Sequence, residues 1–183
     1  MKAARLVFLA LGALSACLAQ TPVNPHAAIL QDFDKRVGEY VKMRKTIEGK
    51  LPKLKATPSQ AKISSHERKL ADMLRQERQS AAQGDIFTPE ISAEFRRLIG
   101  IAMQGANTAR IKESLKTAEP VNLRVAVNNR YPKKIPLQST PPTLLLNLPR
   151  LPSEVEYRLV DHTLVLRDVK SNLIVDFMTN AMP

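Results

Sequence analysis

The sequence contains few of the residues that build disulfides, metal sites and phosphate-binding loops. It has one cysteine, three histidines and six glycines in 183 residues. Cys17 therefore has no partner for an intramolecular disulfide, and stability must come from packing. The glycines are too scattered for a phosphate loop, and the serines lie in no nucleophile-elbow motif.

The sequence also lacks an apolar run long enough to cross a membrane as a permanent helix. Its apolar N-terminal stretch, residues 6–16, is broken by Gly12 and Ser15, whereas a spanning helix needs about 20 apolar residues. Lys2 and Arg5 precede this stretch, and no acidic residue occurs before Asp32. The pattern is typical of a removable export signal, which we expect to occupy residues 1–19.

Two cleavage sites fit the end of this signal. Leu14-Ser15-Ala16-Cys17 resembles the bacterial lipobox, in which the cysteine is acylated and becomes the first mature residue. The alternative is ordinary cleavage after Ala19, with Gln20 as the new N-terminus. Both predict an exported, periplasmic protein, which is anchored to a membrane if Cys17 is acylated and soluble otherwise.

Basic residues outnumber acidic ones, 28 to 17, and loss of Lys2 and Arg5 with the signal lowers the formal net charge from +11 to +9. Outside the cytosol the available polyanions are lipid headgroups, lipopolysaccharide and wall polymers, so we expect no nucleic-acid partner. The densest basic cluster consists of Lys42, Arg44, Lys45, Lys50, Lys53 and Lys55. It is either a solvated helix end or a contact with an anionic envelope surface.

Periodicity predicts an α+β fold that begins with helices. A capping residue followed by proline occurs at Asn24, Thr57 and Thr88. These starts predict helices over 25–51, 58–83 and 89–103, with Gly84 ending the second, and a weaker fourth helix covers 108–117. The first helix has an apolar seam that only Arg44 interrupts, and the short connection to the second predicts an antiparallel helical hairpin.

After residue 120 the apolar period changes from 3.6 to 2, which predicts a small β region. We therefore divide the chain into the signal, a helical region over 20–119 and a β region over 120–183. The β region should contain a strand over 121–127, a proline-rich connector over 131–152 and an antiparallel meander over 155–160, 163–168 and 173–178.

A register can be tested on the meander. With a turn at Asp161 and His162, apolar residues oppose apolar residues and Glu156 opposes Arg167. The same apolar face continues into the third strand if Leu166 opposes Val175 and Leu164 opposes Phe177. On the other face, Arg158 and Asp176 flank Val165, where we expect a surface salt bridge.

The histidines do not form a recognisable site. His26, His66 and His162 share no metal-ligand spacing, and structural or solvated roles are predicted for all three. Asp161, His162 and Thr163 are the residue types of a hydrolytic relay, but neighbours along a strand face opposite ways. No catalytic, metal or cofactor residue is assigned.

The chain resembles an uncharacterised family of exported bacterial proteins. The resemblance lies in a Gly-Asp-Ile-Phe-Thr-Pro-Glu stretch at 84–90 and in the segments 148–152, 157–160, 164–168 and 172–177. It implies no activity. The proline-led hairpin near the C-terminus is also similar to the last strands of periplasmic nickel/cobalt-homeostasis proteins, over about 30 residues and without their aromatic and Gly-Tyr signals.

Together these features favour a non-enzymatic envelope protein that binds another protein or an anionic envelope polymer or lipid, with no cofactor. One alternative is a periplasmic metal- or ligand-handling module, and a second is a small hydrolase centred on His162. Nickel, cobalt or zinc that leaves the melting temperature unchanged would disfavour the first alternative.

Overall fold

The computed structural model describes residues 24–104, 109, 113, 124–131 and 146–182. Within them the chain forms helices α1 (Pro25–Gly49), α2 (Gln60–Glu77) and α3 (Pro89–Ala102). Strands β1 (Val155–Val160), β2 (Thr163–Asp168) and β3 (Ile174–Met178) follow. They form one antiparallel sheet in the order β1-β2-β3, so the predicted α+β class is confirmed.

Two of the three predicted helix caps are confirmed. The side chain of Asn24 accepts from the His26 amide at 3.0 Å and that of Thr88 from the Ile91 amide at 3.3 Å. In each case proline occupies the start of the helix, where its missing amide hydrogen costs nothing. The cap and proline therefore fix where α1 and α3 begin.

The predicted boundaries of α2 are wrong at both ends. Ser59 rather than Thr57 caps the helix, because the Thr57 hydroxyl accepts from the Ser59 amide instead. The helix stops at Glu77, and the Arg78 guanidinium donates to the Val175 carbonyl at 2.7 Å. Gly84, with φ of +95°, lies in the loop that follows and does not end the helix.

The strand predicted over 121–127 is wrong for the residues that the structure describes, 124–127. Residues 124–126 have no regular structure, a turn follows at 127–128, and residues 121–123 lie outside the described part. The segment instead runs beside β3, where the Asn128 amide donates to the Ile174 carbonyl at 2.9 Å and Arg130 forms a bridge with Leu173. The alternating valines reflect packing on the sheet, since Val125 and Val127 lie against its outer face.

Other predictions fall largely outside the described residues. Ala109 and Glu113 are helical, and the remainder of the predicted fourth helix is not described. Of the proline-rich connector, only residues 131 and 146–152 are described. These two predictions remain predictions.

The register of the first hairpin is confirmed. Leu159 pairs with Leu164, Tyr157 with Leu166, and Glu156 with Arg167. The turn contains no glycine, and Asp161 adopts φ of +52° in its place. Aspartate tolerates this left-handed conformation better than most residues, which permits the tight turn.

The register predicted for the second hairpin is wrong by one residue. Leu164 pairs with Met178 and Leu166 with Asp176, and the ladder shifts between Leu166 and Arg167. An irregularity of this kind lets the side chains of two successive residues lie on the same face of a sheet. Here Val175 joins the main core, while the neighbouring Asp176 binds the loop that precedes α3.

Both faces of the sheet are covered. On one face the main core packs α1 and α3 against the strands and includes a cluster of four rings: Phe33, Phe87, Phe95 and Tyr157. The centroids of Phe33 and Phe95 lie 4.8 Å apart. On the other face Tyr131 packs with Val165 and Phe177.

Candidate functional site

The predicted basic cluster lies at the C-terminal end of α1 and in the connector that follows it. Four of its side chains are exposed and form no ion pair with any residue that the structure describes. We refer to these four, Lys42, Lys50, Lys53 and Lys55, as the lysine surface. Lys45 is also exposed, but its amino group lies 2.8 Å from a Glu154 carboxylate oxygen.

Arg44 does not belong to this surface, and its assignment to an anionic-surface contact is wrong. Its side chain is 4% exposed. Nε donates to Oδ2 of Asp168 at 2.8 Å, and Nη1 donates to Oε2 of Glu48 at 2.5 Å. Burial alone would lower the pKa of Arg44, but the adjacent carboxylates of Asp168 and Glu48 raise it, so the guanidinium stays charged inside the protein.

Asp168, the partner of Arg44, is fully buried at the end of β2. Its Oδ2 also accepts from the Tyr40 hydroxyl at 2.9 Å, and its Oδ1 accepts from the amides of Lys170 and Ser171 at 3.1 and 2.7 Å. Burial and the neighbouring Asp168 carboxylate raise the pKa of Tyr40 well above its usual value, so the hydroxyl keeps its proton and donates it. The carboxylate thus joins α1 to the loop after β2.

Asp176 is a second fully buried carboxylate, and its predicted surface salt bridge with Arg158 is wrong. It accepts from the backbone amides of Gly84, Ile86 and Phe87 at 3.0, 2.7 and 2.8 Å. Arg158 instead lies 2.5 Å from its strand neighbour Glu156. The first four residues of the Gly-Asp-Ile-Phe-Thr-Pro-Glu stretch, 84–87, therefore form a loop whose amides bind a buried carboxylate, and its last three residues begin α3.

These buried polar groups were missed because their sequence signal is weak. In the sequence Arg44 stands out only as an interruption of the apolar seam of α1 and as a member of the basic cluster. A single arginine at a core position of an otherwise regular seam requires a buried acid, and Asp168 was available at the end of a predicted strand. Asp176 gives no such signal, since its partners are backbone amides.

Two neighbouring cavities of about 300 and 470 Å³ lie between the C-terminal halves of α1 and α2. Both are lined by Ile47, Lys50 and Glu77, and Met43 and Met73 add apolar surface. Charges of both signs surround them, so they favour no ligand of one charge. Lys50 belongs at once to these cavities and to the lysine surface.

The histidines lie apart from one another. Nδ1 of His26 is 2.7 Å from Oε2 of the buried Glu94, and the Glu94 carboxylate also accepts hydrogen bonds from the Arg97 guanidinium. His162 is exposed in the β1–β2 turn, 3.8 Å from an Asp161 oxygen, and His66 is half-buried on α2. No group of three or more histidine, cysteine, aspartate or glutamate side chains among the described residues is placed to hold a metal.

None of the helices in the described part of the chain combines the length and apolarity needed to span a membrane. No protein-family model matches the sequence, and comparison with curated proteins and with solved structures gives no significant match.

Proposed function

We propose that the chain is an exported envelope protein that acts by binding an anionic envelope surface rather than by catalysis. Cleavage before Cys17 with acylation would anchor it to a membrane, and cleavage after Ala19 would leave it free in the periplasm. The signal-like N-terminus supports the location.

The observation that carries the proposal is the excess of positive charge in the connector between α1 and α2. The stretch of residues 49–66 contains no aspartate or glutamate, although it contains Lys50, Lys53, Lys55 and Lys62. The last preceding acid, Glu48, is bound by Arg44 and Lys170. By contrast, the buried carboxylates of the sheet are occupied by donors from the protein itself, and they are not presented to a ligand.

We also propose that α1 and α2 form an antiparallel hairpin that presents this surface. The Arg78 guanidinium lies 5.2 Å from the Tyr40 ring, and Ile47 packs with Leu70 and Leu74. Tyr40, earlier in α1, thus lies near the residue that follows α2, whereas the later Ile47 packs with residues further back in α2, as an antiparallel pair requires. The connector with Lys50, Lys53 and Lys55 then lies at the closed end of the hairpin.

Co-sedimentation with lipid vesicles tests the binding role. We expect the unacylated mature form, residues 20–183, to sediment with vesicles rich in phosphatidylglycerol at low salt and to be released near 0.5 M salt, where charges are screened within about 4 Å. Vesicle binding that does not change with salt concentration, or the absence of binding, would contradict an electrostatic role for the lysine surface.

A further inference from the structure

The connector between α1 and α2 carries an apolar side chain between two residues of the lysine surface, Lys53 and Lys55. Leu54 is 43% exposed. Leu51, three residues earlier, packs against the cluster formed by Ile47, Leu70 and Leu74. It holds the start of the connector to the protein. The connector is therefore attached at its base and leaves Leu54 in solvent.

A single exposed leucine is ordinary on a protein surface, so its neighbours decide what it means. The other markedly exposed large apolar side chains among the described residues are Ile101, Leu146 and Val169. Of the four, only Leu54 has a lysine on each side, Lys53 and Lys55. The combination of positive charge and apolar surface is thus particular to the connector.

Two kinds of polyanion could meet such a connector. A soluble or wall-bound polymer offers negative charge alone, and Leu54 would gain nothing from it. An anionic bilayer offers negative headgroups to the lysines and, just below them, an apolar region to the leucine. The position of Leu54 between lysines therefore favours the bilayer.

We infer that the connector of residues 50–56 docks on an anionic lipid bilayer, with Leu54 entering the interface and Lys50, Lys53 and Lys55 contacting headgroups. This inference rests on the proposed function and specifies which surface is bound and by which residues. In the acylated form it also limits the tilt of α1. The 25 residues of α1 span about 37 Å at the helical rise, while the seven steps from Cys17 to Asn24 reach at most about 25 Å. Both ends can contact one bilayer only if α1 lies within about 40° of the membrane plane.

The absence of tryptophan from the sequence permits a direct test. Leu54→Trp introduces a single tryptophan at the connector, and Val169→Trp introduces one at a site of matched exposure, 44%. With the mature chain and vesicles containing phosphatidylglycerol, we expect blue-shifted emission and quenching by brominated lipid for Leu54→Trp only. Pure phosphatidylcholine vesicles should shift neither variant.

A charge-reversal pair tests the lysines. Lys53→Glu/Lys55→Glu should weaken vesicle binding about thirtyfold or more at low salt. Lys35→Glu/Arg150→Glu changes the net charge equally at two exposed sites elsewhere and should weaken binding about threefold or less. All four side chains are exposed, and thermal melting of each variant checks that the fold is kept.

The outcomes separate the inference from the proposed function. Salt-sensitive binding with unshifted emission from Leu54→Trp, or equal losses in the two charge-reversal pairs, would overturn the inference and leave an anionic-surface role in place. Binding of a soluble polyanion in preference to vesicles would also overturn it. If the wild-type chain binds neither anionic vesicles nor soluble polyanions, the inference and the proposed surface role both fail.

Discussion

Charged side chains are buried and paired where α1 contacts the sheet. In the connector that follows α1, they are exposed and form no ion pair within the described part of the chain. At the sheet, Arg44 and the carboxylates of Asp168 and Asp176 are buried and held by donors or acceptors of known geometry. In the connector, Lys53 and Lys55 are exposed and have no acidic neighbour in sequence. The difference teaches that a positive sequence cluster contains two classes of residue, one that joins elements of the fold and one that is available to a partner.

The largest expected effect comes from removing the buried carboxylate of Asp176. Asp176→Ala should lower the free energy of unfolding by about 5 kcal/mol, because it leaves the buried amides of Ile86 and Phe87 without an acceptor. Asp72→Ala, which removes an exposed acid bound to Arg75, should cost about 1 kcal/mol or less. Urea unfolding measures both, and similar costs would contradict a structural role for Asp176.

Arg44→Met should come next, with a loss of about 3 kcal/mol in the free energy of unfolding. The substitution leaves Asp168 buried without its cation, and the loss is at the lower end for buried pairs because Tyr40 and two amides still bind the carboxylate. Lys45→Met is the matched control, since the Lys45 side chain is 60% exposed, and it should cost about 1 kcal/mol or less. Urea unfolding that ranks the two variants equally would place Arg44 with the lysine surface after all.

A smaller, pH-dependent effect is expected at Glu94. Hydrogen bonds from Arg97 lower the pKa of Glu94 below its usual 4.5, with a further bond from His26, against the opposing effect of burial. A carboxyl with a lowered folded-state pKa stabilises the protein above pH 4.5, and this contribution is lost as pH falls through the folded-state value.

Glu94→Gln should therefore lower the melting temperature at pH 7 and make it fall less steeply between pH 5 and pH 3. Glu39→Gln removes an exposed acid 4.0 Å from Lys35 and serves as the control. Melting curves that keep the wild-type slope below pH 5 in Glu94→Gln would exclude this contribution.

The smallest effect on stability is expected in the connector. Lys53→Ala/Lys55→Ala should change the free energy of unfolding by about 0.5 kcal/mol or less, since both side chains are exposed. The same variant should bind anionic vesicles more weakly than the wild-type chain. A clear loss of stability in urea unfolding would show that these lysines serve the fold, and it would remove the contrast with Arg44.

Local rules predicted the elements well where one side chain decides the outcome. Asn24-Pro25 and Thr88-Pro89 fixed two helix starts, and alternation with opposite charges at Glu156 and Arg167 fixed the first hairpin register. Neither depends on distant parts of the chain. The prediction at Thr57 failed for a similarly local reason, because Ser59 offered a cap closer to the helix.

The features that were predicted incorrectly depend on contacts between residues that are far apart in sequence. Where the β2–β3 register shifts, Asp176 binds amides about 90 residues earlier in the chain, and no strand pattern encodes those contacts. Arg44 was grouped with lysines because charge and spacing are visible in sequence, whereas its partner Asp168 lies 124 residues away. Of the candidate surface, the lysines were predicted, and Leu54 was missed because exposure of one leucine cannot be read from periodicity.

The central claim is that the chain leaves the cytosol and meets its partner at the envelope, and the intact mass of the protein isolated from its own cells tests it most directly. The account predicts a membrane-fraction species that begins at an acylated Cys17, or a periplasmic species that begins at Gln20. A soluble cytosolic species that retains Met1 in healthy cells would contradict it.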